Sequence, residues 1–87
     1  MLVYFAEFLG AFALLCSIFF TGNALIIGLT LAVVIWAIGD ISGAHVNPAV
    51  SFAMYMKGNL TWLEYLFYSS AQFAGGVIAY YTYKSLA

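Results

Sequence analysis

The sequence predicts an all-α membrane protein, with three transmembrane helices plus a re-entrant loop carrying a half-helix, as one unit over residues 1–87. Three observations predict it. First, 67% of the residues are hydrophobic, against two basic and three acidic ones. A small soluble domain needs a denser charged shell than that. Second, three apolar stretches come close to the ~20 residues that a bilayer span requires. Third, the only proline, Pro48, lies in a polar interruption whose helix-forming part is too short to cross.

The elements follow in order. The first helix is predicted over 3–21 and the second over 24–40, joined at Gly22-Asn23. That tight turn makes them an antiparallel pair. The first stretch does not read as a removable signal: no basic residue precedes it and Glu7 falls in its second turn. The third helix is predicted over 62–84, after the polar break Lys57-Gly58-Asn59, with Thr61 and Glu64 as a capping box. Aromatics gather near the helix ends, as in an interfacial belt, at Tyr4, Trp36, Trp62, Tyr65, Tyr80, Tyr81 and Tyr83. Ala71, Gly75 and Ala79 form a small-residue stripe that lets another helix approach closely.

Residues 41–58, ISGAHVNPAVSFAMYMKG, are the informative interruption. Pro48 forbids a regular helix through the segment and pushes Asn47 out of the helical region. The same pair makes a good helix start, Asn47 as N-cap and Pro48 at the first helical position. A half-helix is therefore expected over 48–57, ending at Lys57-Gly58. At 1.5 Å per residue it covers about 13 Å, roughly half a bilayer core. Residues 41–47 would form the descending limb of a re-entrant loop, with 43–46 extended. Non-helical backbone at membrane depth survives only where it is buried in protein or lines water. Carbonyls from Gly43, Ala44, His45 and Val46 would then lead to the Asn47 amide and the positive end of the half-helix. Acceptors ending at a donor and a positive dipole make a path for small polar solutes, and the dipole opposes cations.

Other chemistries lack their residues. No acid–base pair, nucleophile–base arrangement or cofactor motif converges, so an enzyme is not indicated. Cys16 is alone, which excludes an intrachain disulfide, and no metal-ligand spacing is present. There is no basic patch for nucleic acid. Two readings stay open for His45, a hydrogen-bonded structural residue or a proton gate, and two for Glu7, an interfacial carboxylate or a brace for the loop.

SGAHVNPAVS at 42–51 resembles the first Asn-Pro-Ala loop of the aquaporin and glycerol-facilitator family, the major intrinsic proteins. AEFLG at 6–10 resembles the start of that family's first helix, and AQFAGG at 71–76 its third. The resemblance implies one half of an aquaporin-like fold, integral to the cell or inner membrane and multi-pass. It implies that Asn47, Pro48 and Ala49 sit at the midplane, that Gly43 to Val46 line the path, and that Glu7 and Gln72 support the loop. It places Ile27 on one wall of the selectivity constriction, where an aromatic is frequent. The departures are specific. Family members carry two inverted repeats, and the arginine that follows the second Asn-Pro-Ala corresponds to Val50 here. Ala11 stands where a threonine often follows the first-helix glutamate.

The implied function is a half-channel for water or small neutral solutes such as glycerol, working in the lipid bilayer after pairing of two inverted copies, or assembled further as a homo-oligomer. Lys57 and Lys84 would fall on opposite faces, a balance that permits both orientations. Two alternatives stand beside it: an isolated or truncated repeat acting as an impermeable membrane subunit, and one half of a heteromeric channel whose second aquaporin-like half supplies the arginine.

Overall fold

A computed structural model describes all residues, 1–87, as four helices with no strand. α1 spans Leu2–Thr21, α2 Ala24–Ser42, α3 Pro48–Met56 and α4 Trp62–Leu86. Each boundary has a local cause. α1 stops at Gly22, which turns left-handed (φ 56°) and returns its N–H to the Ile18 carbonyl. Asn23 then caps α2, its side chain accepting from the Ile26 N–H at 3.0 Å. α2 runs two residues past the expected Asp40, to Ser42, because its stop is the left-handed Gly43 (φ 87°), whose N–H bonds the Gly39 carbonyl. α3 begins with Pro48 under the Asn47 cap and ends at Met56, with Lys57 as C-cap and Gly58 turning at φ 92°. α4 opens on a complete capping box: Glu64 N–H donates to Thr61 Oγ1, and Thr61 N–H donates to the Glu64 carboxylate.

α1 is the central element, packed against both α2 and α4, while α3 lies on α4. α1 and α4 run in the same direction: Tyr4 meets Phe67 and Tyr68 at one end, and Phe19 meets Tyr80 and Tyr83 at the other. Gly75 lets them touch. A Cβ there would stand 2.5 Å from the Phe8 carbonyl oxygen and 3.0 Å from the Phe12 nitrogen. Ala79, one turn further along the same face, is fully buried.

The molecule measures 39 Å along its long axis, enough to cross a hydrocarbon core of about 30 Å. α1 and α2 are long and apolar enough to span a membrane. α4, at 25 residues, is longer than either, but Glu64, Gln72, three serines and five tyrosines dilute it, and it falls short of the same composition. Most large apolar side chains point outward, among them Leu25, Leu29, Val33 and Trp36 on α2. The buried set is small and notably polar: Glu7, Ser42, Ser51, Ser69 and Gln72 join Ala6, Ala11, Val34, Ala44 and Val46. That inversion is what a lipid-facing exterior around a polar interior requires.

Candidate functional site

The site is assembled around the loop that joins α2 to α3. The expected extended strand over 43–46 is not what forms. Gly43, Ala44 and Val46 all adopt left-handed backbone, with φ of 87°, 50° and 47°. For alanine and valine this conformation is costly, about 1–3 kcal/mol each, and least tolerable for a β-branched residue. Tertiary contacts impose it. Val46 turns its side chain inward, joining Ala11 and Val34 in the core. It lies directly over Gly10, where a Cβ would stand 2.6 Å from Val46 Cγ1.

Glu7 holds the backbone in place. It is fully buried and accepts four hydrogen bonds. Oε1 receives the Val46 N–H at 2.8 Å and Gln72 Nε2 at 2.9 Å. Oε2 receives Ser42 Oγ at 2.6 Å and the His45 N–H at 3.1 Å. All four partners are donors, which matches a carboxylate's acceptor-only chemistry and uses its full capacity. Ser42 Oγ also accepts the Ala44 N–H at 3.2 Å, and Tyr68 donates from its hydroxyl to the Ser42 carbonyl at 2.8 Å. Three consecutive loop N–H groups, 44 to 46, are thereby engaged from one side.

The acceptors are left over. The carbonyls of Gly43, Ala44, His45 and Val46 make no hydrogen bond within the chain. Asn47 is divided in the same sense: Oδ1 accepts the Ala49 N–H at 2.8 Å, while Nδ2 keeps both protons free. The loop thus satisfies its donors internally and presents acceptors, followed by one side-chain donor at the start of α3.

His45 is half-buried, and its Nδ1 lies 2.9 Å from Ser51 Oγ. The ring packs on Tyr68 with centroids 4.8 Å apart. Ser51 also accepts from Gln72 Nε2 at 2.9 Å. Gln72 can only donate there, so Ser51 Oγ keeps its proton and one lone pair for its contact with His45 Nδ1. Glu7, Ser42, His45, Ser51 and Gln72 therefore form one connected polar network inside an apolar shell. Its one buried side-chain atom without a partner is Gln72 Oε1, a deficit of about 1–3 kcal/mol.

Val46, Asn47, Pro48 and Gln72 line one cleft of ≈ 620 Å³, walled otherwise by α1 and α4. Asn47 and Ala49 are exposed, Pro48 is half-buried, Gly43 is exposed, and Ala44 is buried beneath the loop. Ile27 is not brought to this group. It is half-buried near the start of α2, about 23 Å along that helix from Ser42. Four contributors escaped the sequence reading: Gly10, Ser42, Ser51 and Tyr68. A signal existed for two of them. Gly10 lies one turn from Glu7 on the same helical face, and Ser51 is one turn beyond Asn47 on an otherwise apolar half-helix.

Comparison with known proteins extends this geometry. The family profile described as Major intrinsic protein matches residues 13–87. Aquaporin NIP2-1 of Oryza sativa subsp. japonica is 40% identical over 65 residues, covering 75% of this chain and 22% of its own length. Aquaporin NIP1-1 of Zea mays is 38% identical over 82 residues, covering 87% and 29%. The lens fiber major intrinsic protein of Oryctolagus cuniculus is 48% identical over 54 residues, covering 62% and 20%. The chain spans between a fifth and a third of the length of these relatives. With the profile covering most of its residues, the chain belongs to the major intrinsic protein family, and so to the integral, multi-pass membrane proteins rather than to the enzymes.

Proposed function

We propose that the chain is one half of a membrane channel for water or small neutral solutes such as glycerol. In this reading α1, α2 and α4 cross the bilayer, residues 43–47 re-enter it, and α3 returns to the face from which the loop entered. A second, inverted half completes the pore. The observation that carries the proposal is the polarity of the loop. Its N–H groups are consumed by Glu7 and Ser42, and four successive carbonyls remain free, leading to the Asn47 amide. Such a row can replace a solute's hydration shell one hydrogen bond at a time. The α3 dipole, positive at Asn47, opposes a cation there.

The inverted pairing has its own support. Lys57 follows α3 and Lys84 lies near the far end of α4. With α4 as a span, each face carries one lysine, and orientation is left nearly unbiased.

Stopped-flow swelling of vesicles holding the purified protein tests the channel. Flux well above that of protein-free vesicles is expected, and Asn47→Trp should abolish it by filling the mouth of the cleft. Flux no higher than bare lipid, or unchanged by the tryptophan, would reject the reading. Labelling of single cysteines at Gly58 or Ser85 in sealed vesicles reports orientation. About half of each site should be reachable from outside.

A further inference from the structure

The corner where α3 turns into α4 gathers rings and unused donors in one place. α3 packs on α4 alone among the helices, and near its end the contact is aromatic. Phe52 meets Tyr65 with ring centroids 5.5 Å apart, Tyr55 meets Trp62 at 5.3 Å, and Trp62 meets Tyr65 at 5.3 Å. The four rings form one continuous plate across the two helices. Its outer side is open: Phe52 is 42% exposed, Trp62 52%, and the neighbouring Met56 72%. Lys57, one of two basic residues in the chain, follows Met56 as the exposed C-cap of α3. Glu64, the nearest carboxylate in sequence, is turned back onto the Thr61 N–H at 2.8 Å and forms no ion pair with Lys57.

Four polar groups at this corner have no partner in the chain: the Lys57 ammonium, the Trp62 indole N–H, and the hydroxyls of Tyr55 and Tyr65. The ammonium and the indole can only donate, and the phenols can donate as well. An open apolar plate beside one cation and several idle donors is complementary to a molecule with an anionic acceptor at its head and hydrocarbon behind it. We infer that the corner seats one anionic phospholipid, its phosphate on Lys57 and the Trp62 N–H, its acyl chain over Phe52 and Met56. The inference rests on the proposed crossing of α4, which sets the corner at the bilayer boundary where such headgroups lie. A free phosphate ion would use the donors and leave the plate uncovered. The lipid also has a mechanical consequence. The start of α3 is fixed through Ser51 to His45 and Gln72, whereas its end is held by the aromatic plate alone, so a seated lipid fastens the second end of the half-helix.

The two tryptophans make the test direct. In a Trp36→Phe background Trp62 is the only indole, and its fluorescence is quenched by lipids with brominated acyl chains. The full chain is reconstituted in phosphatidylcholine vesicles carrying increasing fractions of brominated phosphatidylglycerol or brominated phosphatidylcholine. Trp62 should prefer the anionic lipid about fivefold, the factor expected of one basic side chain at an anionic surface. Lys57→Gln should bring that preference to about one, and Lys84→Gln, at the far end of α4, should leave it unchanged. In a Trp62→Phe background Trp36, on the outward face of α2, should show no preference. A Trp62 preference of less than about twofold overturns the site, as does one that survives Lys57→Gln, falls equally with Lys84→Gln, or is matched at Trp36. Displacement by soluble glycerol 3-phosphate would assign the corner to phosphate rather than lipid, and quenching that appears only on dilution of the protein in lipid would assign it to a second copy. Equal quenching by both lipids removes the site and leaves α4 as a span. No quenching by either, at any lipid-to-protein ratio, removes the span with it.

Discussion

Glu7 Oε1 accepts the Val46 N–H at 2.8 Å, across 39 positions of sequence, at a residue whose backbone sits at φ 47°. A carboxylate on the first helix thereby fixes the most strained residue of the loop. Substitution with glutamine tests how much depends on it. Glutamine offers one acceptor oxygen and turns its NH₂ toward two groups that are themselves donors. Glu7→Gln should cost about 2–4 kcal/mol of stability, read as a lower denaturant midpoint in detergent, with proteolytic cleavage appearing within 43–47. A midpoint unchanged within error would mean that the packing of Val46 alone holds the loop.

The α1–α4 contact gives a second, purely steric prediction. Gly75→Ala places a methyl 2.5 Å from the Phe8 carbonyl oxygen, and backbone on both sides leaves it nowhere to go. The helices must part, at about 1–3 kcal/mol. Gly28→Ala is the control, since nothing lies within 4 Å of a Cβ there. Helix propensity should make that variant neutral or up to about 1 kcal/mol more stable. Equal behaviour of the two variants in thermal unfolding would contradict the packing.

Val50 bears on selectivity. It is exposed in the first turn of α3, and no arginine occurs anywhere in the chain. A pore built from two such halves would rely on the α3 dipoles and Asn47 alone to exclude cations. Proton leak in vesicles should therefore be measurable beside the neutral-solute flux. Val50→Arg should lower it severalfold while some water flux persists, because a fixed positive charge near the constriction repels protons and cations. Leak that rises with the arginine, or does not respond, would place Val50 away from the conducting path.

The helix starts and the turn after α1 were legible because each is written within four residues: Gly22, Asn23, Asn47-Pro48 and the Thr61–Glu64 box act on their own turns, whereas α2 outran its expected end by two residues. Membership of the family was legible from the segment around Asn47. Two features resisted. The descending limb read as extended, since valine and alanine avoid positive φ in isolation; three left-handed residues form instead because Val46 must fit over Gly10 and its N–H must reach Glu7. Glu7 and Gln72 stood out as polar residues in apolar helices, but Ser42, the partner of Glu7, and Ser51, the partner of Gln72, looked like ordinary small residues until the four helices came together.

Sequence by itself determined the all-helical class, the order of the elements and the start of α3 at Asn47-Pro48, because capping and proline chemistry act locally and need no partner. Only the tertiary structure decided which loop atoms are satisfied and which are left free. That outcome depends on a carboxylate 39 residues away and on a glycine beneath Val46, and long-range geometry of this kind leaves no periodic trace in the chain.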